Sequence, residues 1–359
     1  MNNSNHIIIV GAGPCGLGAA WQFEKEAYHN WILLEAGKVA GGLAASYRDD
    51  QGFVWDLGGH VVFSHYKYFD QLLDVLLGDQ WVEHQRESWV WMRGRFIPYP
   101  MQNNIWHLPP EDLQRCLEGL LDVYPSHRQP GKAMNFGDWI GLTFGAGLSD
   151  IFMIPYNFKV WAYAPHKLSA GWMGDRLPIV DLKRVIVNLV YRRDDISWGP
   201  NACFRFPLYG GTGQIWRTLA SQLPANQLHF NTPVVRIHAS SHQVETMDGR
   251  LWHYDKLIST IPMDNLLRSL TDQPMLTTMA DQLVYSSTHV VGLGFAGSVP
   301  ENLSTKCWIY FPEPDVPFYR VTVFSNYSPN NVPQPGKQYS LMAEISESSE
   351  KPVDPVMSG

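Results

Sequence analysis

Five residues, His6-Ile7-Ile8-Ile9-Val10, run straight into Gly11-Ala12-Gly13-Pro14-Cys15-Gly16-Leu17-Gly18, and few folds accommodate that junction. A short, unbroken β-branched run reads as a strand buried on both faces. The residues that follow, through Ala20, Trp21 and Phe23, are compatible with a helix. In a strand–turn–helix of this kind each glycine serves a different purpose. Gly11 makes the tight turn, Gly13 admits a pyrophosphate to the backbone, and Gly16 lets the helix lie close on the strand. Pro14 suits the first helical turn, where no N–H is needed, and the open N–H groups of a helix start favour an anion. A second apolar run, Trp31-Ile32-Leu33-Leu34, ends in Glu35, nineteen residues after Gly16. A carboxylate at that distance receives ribose hydroxyls. Glycines alone mark ordinary turns, but strand, turn, helix, second strand and acid together predict a dinucleotide site in a doubly wound α/β domain. The plainer alternative is such a sheet with an incidental glycine-rich turn.

Composition removes several other classes. The 27 Lys+Arg against 34 Asp+Glu give a net charge of −7, unsuited to a general nucleic-acid or anionic-membrane surface. An anionic ligand would then need locally placed arginines. At 359 residues, 45% hydrophobic and 17% charged, the chain can form two domains, or one large discontinuous one, around a sizeable core. Cys15, Cys116, Cys203 and Cys307 are scattered, with neither C-x-x-C nor Cys/His metal spacing, which predicts reduced thiols, no metal and a cytoplasmic setting. The N-terminus lacks the basic region of a signal peptide, and no stretch approaches the ~18 apolar residues of a membrane span. The 14 Trp and 16 Tyr suit a large core or a cleft for nucleotide and sugar rings.

Along the chain, apolar spacing predicts a helix over 66–77, and alternation about Arg93-Gly94 predicts a hairpin over 88–99. Met101-Gln102-Asn103-Asn104 is too rich in amides for a simple linker. Helices are expected over 111–123, 136–142 and 180–190, a mobile loop over 197–201, and extended chain at Phe204-Arg205-Phe206-Pro207. Gly210-Gly211-Thr212-Gly213 opens another helix. Short strands are expected over 227–230, 233–238 and 257–262, and a mostly antiparallel set over 289–295, 308–311, 319–325 and 339–345. The resulting division is a dinucleotide-binding fold from 1–87 and 197–282, a helical insertion over 105–196, an antiparallel sheet from 88–104 with 283–347, and a disordered tail over 348–359.

Two further segments, Gly41-Gly42-Leu43-Ala44 and Asp56-Leu57-Gly58-Gly59-His60-Val61-Val62-Phe63-Ser64-His65-Tyr66, separate flavin from nicotinamide. The first resembles the second glycine pair of amine-oxidase-like flavoproteins. The second resembles the flavin loop of UDP-galactopyranose mutases of the eukaryotic type. The same resemblance is carried by Pro155-Tyr156-Asn157-Phe158-Lys159-Val160-Trp161-Ala162, Trp198-Gly199-Pro200-Asn201, Phe204-Arg205-Phe206-Pro207, Tyr285-Ser286-Ser287-Thr288-His289-Val290 and Pro317-Phe318-Tyr319-Arg320, so it extends from His6 to about Pro352. It implies an isomerase that interconverts UDP-galactopyranose and UDP-galactofuranose. In that family reduced FAD attacks the anomeric carbon through N5, UDP departs, and the flavin–sugar iminium adduct opens and recloses before UDP returns. The flavin must first be reduced, by an external reductant such as NADPH.

The resemblance also assigns residues. Arg176 and Arg320 match the two diphosphate arginines, a role that suits a planar, always-charged guanidinium; either taken alone could be a surface or helix-capping arginine. Tyr99, Gln102, Phe152, Asn157 and Trp161 match the uracil region, although a single tryptophan is more often core. Tyr310 and Asn201 match contacts to the phosphates and a mobile flap. His60 is placed beside the flavin's N5 without an acid–base role, with Gly59 as its backbone neighbour, and His65 is structural. The cofactor set is Gly11, Gly13, Pro14, Gly16, Glu35, Gly41, Gly42, Leu43, Gly58 and Val234, the last by its backbone, with a plain core valine as the alternative.

Members of the family continue past this chain's last residue, through a Gly-Arg-Phe-Gly-type turn and a helix that meets the flavin, so a weakened cofactor site and reduced turnover are expected. Two rivals stay open: an amine-oxidase-like oxidoreductase, which needs no pair of diphosphate arginines, and an inactive short form that binds nucleotide or pairs with another copy. The expected partner is a UDP-sugar, with no nucleic acid or membrane; a homo-oligomer stays open.

Overall fold

The computed structural model describes residues 6–124, 133–172, 180–196 and 202–354. These divide into two units, one from Met1–Glu83 with Arg205–Tyr285 and the other from His84–Phe204 with Ser286–Gly359.

The first unit is built on a parallel sheet, in the order Lys256–Ser259, Ile7–Val10, Trp31–Leu34, Leu228–His229. The β-branched run occupies its centre because both of its faces are covered. Ile7 and Ile9 point into a cluster with the helices Pro14–Lys25, Lys67–Leu77 and Gly213–Ser221, through Leu17, Leu73, Ile215 and Leu219. Ile8 and Val10 point the other way, onto Ile237 and Val244 of a small antiparallel sheet formed by Val234–His238, Gln243–Thr246 and Leu251–His253. Each such fully buried aliphatic side chain stabilises the fold by about 1.5–3 kcal/mol.

The second unit centres on a mostly antiparallel sheet, ordered Ser287–Ala296, Gln338–Glu347, Arg320–Thr322, Trp308–Tyr310, Ser88–Met92, Arg95–Pro98. The pairing of Trp308–Tyr310 with Ser88–Met92 is parallel. The hairpin turns at Arg93 and Gly94, both at positive φ (53° and 69°), the geometry of a tight two-residue connection. Helices Pro110–Val123, Phe136–Leu148, Ile154–Trp161 and Leu182–Tyr191 accompany the sheet. The first two cross in backbone contact: a Cβ on Gly119 would lie 2.9 Å from the amide nitrogen of Ala146.

The amide cluster has a structural use. Buried Asn104 donates to the carbonyls of Pro98, Pro100 and Asp195 at 3.1, 3.0 and 2.8 Å and accepts from the Asp195 N–H at 2.8 Å. Asn188 of the last helix donates to the Asn103 carbonyl at 3.2 Å. These bonds hold the chain around Tyr99 and Gln102 in place.

Several expectations need correction. The expected strand over 319–325 is shorter, Arg320–Thr322, because the chain turns into a helical turn at Phe324–Tyr327 that buries Phe324 and Tyr327. The helix expected over 136–142 runs on to Leu148 through the kink at Gly145. Trp81–Gln85 forms a strand with no counterpart in the sequence reading. Residues 348–354 are not a free tail: Ser348 Oγ donates to the Ala162 carbonyl at 2.5 Å, and the Val353 N–H donates to Glu347 at 3.2 Å. All four cysteines are free. Among the described residues no helix is long and apolar enough to cross a membrane, and no group of His, Cys, Asp or Glu could hold a metal.

Candidate functional site

The glycine fingerprint of the first unit is built as a cradle. Gly11 sits at φ +104°, and a Cβ there would lie 2.4 Å from Thr260 Oγ1. Gly16 packs against the turn itself, with the Gly11 carbonyl oxygen only 1.9 Å from where a Cβ would be. Gly13 differs: nothing lies within 4 Å of its added Cβ, so the space before it is open. Pro14 occupies the first turn of the helix that starts there.

The second glycine pair closes on the first. The Gly41 N–H donates to the Ala12 carbonyl at 2.9 Å, and a Cβ on Gly42 would stand 3.2 Å from Gly13 Cα. Leu43, on the turn between them and Ser46, is 81% exposed. Glu35 directly follows the strand Trp31–Leu34, accepting from the N–H groups of Ala12 and Gly37 at 2.6 Å each. Gly58, at φ +119°, lets the Leu57–His60 loop turn, and the His60 N–H donates to the Gly58 carbonyl at 2.9 Å. Gly59 and His60 thus lie together on this loop. Val234 begins its strand with its side chain packed against the core cluster, as a plain core valine would be. Two facing glycine turns, a helix start and open space at Gly13 fit the pyrophosphate and ribityl part of FAD.

The second unit carries a chain of aromatic rings beside one arginine. Phe152 stacks on Tyr156 with ring centroids 5.4 Å apart and planes within 4°. Tyr310 meets Tyr156 and Tyr99 edge-on at 5.2 and 5.0 Å. Burial, reinforced by neighbouring phenols, pushes the Tyr99 and Tyr156 hydroxyls above their ordinary pKa. Burial with the nearby Glu344 charge pushes Tyr319 up to about 12. These phenols therefore stay neutral at any physiological pH and can donate hydrogen bonds.

Arg320 begins its strand directly after Tyr319 and pairs with Glu344 on the neighbouring one, its register partner. Its Nε donates to Glu344 Oε2, and its Nη2 donates to Oε1 at 2.7 Å. Burial alone would lower the guanidinium pKa, but the Glu344 carboxylate overrides it and holds the group above its ordinary value. Arg320 is thus held protonated and oriented by Glu344 beside these aromatic rings, with much of its charge offset by that carboxylate.

Other assigned residues have different surroundings. Asn157 donates its side-chain amide to the Met153 carbonyl of its own helix turn at 2.7 Å and is buried. Trp161 is 37% exposed and meets Trp172 edge-on at 5.0 Å. Gln102 is buried in the turn held by Asn104. Arg176 and Asn201 lie outside the described residues. Sequence reasoning gives Tyr156 and Glu344 no role. Tyr156 stands inside the Pro155–Ala162 block, whereas Glu344 has no sequence signal, because its partner lies 24 positions away on another strand.

A match to the family of flavin containing amine oxidoreductases extends over residues 14–351. The crystal structure of reduced UDP-galactopyranose mutase resembles this one with a TM-score of 0.93 at 47% identity, over 98% of this chain and 75% of that one. The chain belongs to the UDP-galactopyranose mutase family. This mutase-family chain also resembles wild-type putrescine oxidase bound to putrescine, with a TM-score of 0.63 at 17% identity over 96% of this chain and 76% of that one, a likeness of fold alone. Among curated sequences, 15-cis-phytoene desaturase of Glycine max is 40% identical over 82 residues, 22% of this chain and 14% of that protein. L-amino-acid oxidase of Siganus canaliculatus is 39% identical over 81 residues, 21% of this chain and 15% of its own length. The matched stretch spans about a seventh of the length of those curated relatives.

Proposed function

We propose that this chain is a UDP-galactopyranose mutase that interconverts UDP-galactopyranose and UDP-galactofuranose on reduced FAD. The observation that carries this reading is the 47% identity to a mutase over 98% of the chain. A reduced flavin supplies an electron-rich N5 nucleophile for the anomeric carbon. The protein's own residues do the rest. Arg320, held by Glu344, stabilises the departing and returning diphosphate, and Arg176 is the second arginine of that pair. Tyr310 and Asn201 contact the phosphates. Tyr99, Gln102, Phe152, Asn157 and Trp161, with Tyr156 added from its place in the aromatic chain, form the uracil shelf. Gly13, Gly41, Gly42 and Glu35 receive the cofactor's pyrophosphate and ribose, and Gly58, Gly59 and His60 border its ring.

The reading extends to NADPH as the external reductant, a cytoplasmic setting, supply of galactofuranose for cell-wall glycans, and a homo-oligomer. The test is anaerobic incubation of the dithionite-reduced protein with UDP-galactofuranose, followed by chromatography. UDP-galactopyranose is expected, in a reaction that stops when the flavin is left oxidised. No pyranose from a fully flavin-loaded sample would overturn the assignment, and hydrogen peroxide release with an amine substrate would favour an oxidase instead.

A further inference from the structure

Gly210-Gly211-Thr212-Gly213 has so far only opened a helix, yet it surrounds a buried carboxylate. Asp56 is 1% exposed. Its Oδ1 accepts from Ser46 Oγ at 2.5 Å, and its Oδ2 accepts from Thr212 Oγ1. The Thr212 N–H lies 3.2 and 3.3 Å from the two carboxylate oxygens. Ser46 is held in turn by the Gly213 N–H on its hydroxyl at 2.7 Å and by Arg217 Nη1 on its carbonyl at 3.1 Å. Gly211, at φ +67°, must be glycine, because a Cβ would fall 2.2 Å from Asp56 Oδ1 and 2.5 Å from Ser46 Oγ.

The two residues joined by this carboxylate are informative. Ser46 is the residue after the Gly41–Ala45 turn, and Asp56 is the residue before the Leu57–His60 loop. They are register partners in a short hairpin, and the Leu57 N–H reaches the Ala45 carbonyl at 3.4 Å. Both loops assigned to the flavin therefore leave a single anchored point.

Resting on the flavin reading above, we propose that Asp56 is a positioning residue for the cofactor: with Ser46, Thr212 and Arg217 it clamps the Gly41–Ala45 turn and the Leu57–His60 loop to the start of the Gly213–Ser221 helix, so that both meet FAD already in place. The chemistry of the surrounding groups agrees. Burial raises the Asp56 carboxyl to about 6, against the hydroxyl donors and Arg217 that pull it down. At neutral pH it is ionised, and every group aimed at it is a donor. An asparagine would turn N–H groups toward some of those donors.

The experiment compares wild type with Asp56→Asn, Thr212→Val and Thr212→Ser, each checked for native circular dichroism. Apo-protein is titrated with FAD by flavin fluorescence, and amide hydrogen exchange is followed across residues 41–60 in the apo-protein. Asp56→Asn and Thr212→Val are expected to weaken FAD binding about tenfold or more, the loss of one buried hydrogen bond. Both should also speed exchange at Leu57–His60 and change the quenching of bound flavin, whereas Thr212→Ser, which restores the hydroxyl, should match wild type in all three. If Asp56→Asn does not fold, the Thr212 pair alone decides. Wild-type affinity, exchange and quenching in Thr212→Val would overturn the clamp. Failure of the wild-type apo-protein to take up FAD at all would instead sink the flavin reading on which it rests.

Discussion

Replacing Glu344 with glutamine would leave the Arg320 guanidinium in place beside a neutral amide. In the native sheet Glu344 is 3% exposed and Arg320 24%, so solvent offers the charge little relief. Two charge-assisted hydrogen bonds join them. Removing one partner of such a pair costs about 3–5 kcal/mol, because the remaining charge is buried without compensation. Glutamine keeps one acceptor oxygen, which places the expected cost near the lower end, about 3 kcal/mol. A unit of about 200 residues loses roughly 2–4 °C of melting temperature per kcal/mol, so the second unit should melt roughly 6–12 °C lower. Scanning calorimetry of wild type, Glu344→Gln and the double variant Arg320→Met/Glu344→Leu provides the assay. The double variant removes both charges and should recover much of the loss, since an apolar pair of similar volume often replaces a buried ion pair without penalty. A Glu344→Gln transition that coincides with wild type would refute the reasoning. So would a double variant less stable than Glu344→Gln.

Gly13→Val should give a folded protein that carries almost no flavin, because a Cβ added there meets no protein atom within 4 Å and stands in the open space before the turn; visible absorbance of the purified variant, against circular dichroism, checks it. Arg320→Ala and Arg176→Ala should each weaken UDP binding by roughly 1.5–3 kcal/mol, the value of a hydrogen bond to a charged group, measured by calorimetric titration. Above pH 10 the second unit should lose stability steeply. Burial raises the hydroxyls of Tyr99, Tyr156, Tyr319 and Tyr327. The unfolded chain would release their protons from about pH 10 while the folded chain holds them, and the stability present below that pH would be lost as it rises. Ultraviolet titration should then show these phenols ionising only together with unfolding; smooth ionisation of every tyrosine in a still-folded protein would contradict it.

The parts legible in the sequence are those whose cause is local. The Ile7–Val10 strand and its glycine turn announce themselves because a strand covered on both faces must be apolar throughout, and because backbone contact and positive φ both demand glycine. The Arg93-Gly94 hairpin is equally plain from alternation and turn chemistry. The strand Trp81–Gln85 is not, since its sequence, Trp-Val-Glu-His-Gln, offers neither clean alternation nor a long apolar run. Glu344 and Asp56 are hidden for another reason. Each acquires its role from partners far along the chain, Arg320 in one case and Thr212, 156 residues away, in the other. A buried carboxylate in an apolar strand gives no sign of which donor will meet it. Tyr156 lies in plain view beside Asn157, but only the ring geometry shows that it stacks on Phe152 and meets Tyr310 edge-on.

The central strand of the parallel sheet also sets a schedule for synthesis. Ile7–Val10 pairs on one side with Trp31–Leu34, close behind it, but on the other with Lys256–Ser259. At about 5–20 residues per second, a ribosome needs roughly 12–50 s to deliver that second partner. Throughout that interval one edge of four aliphatic residues waits with unpaired backbone groups, the kind of template that recruits the wrong strand. Meanwhile the intervening His84–Phe204 segment emerges without the Ser286–Gly359 strands that complete its own sheet. Neither unit can close before most of the chain exists, so yield of the folded protein should depend on holdase chaperones and growth temperature more than its final stability would imply.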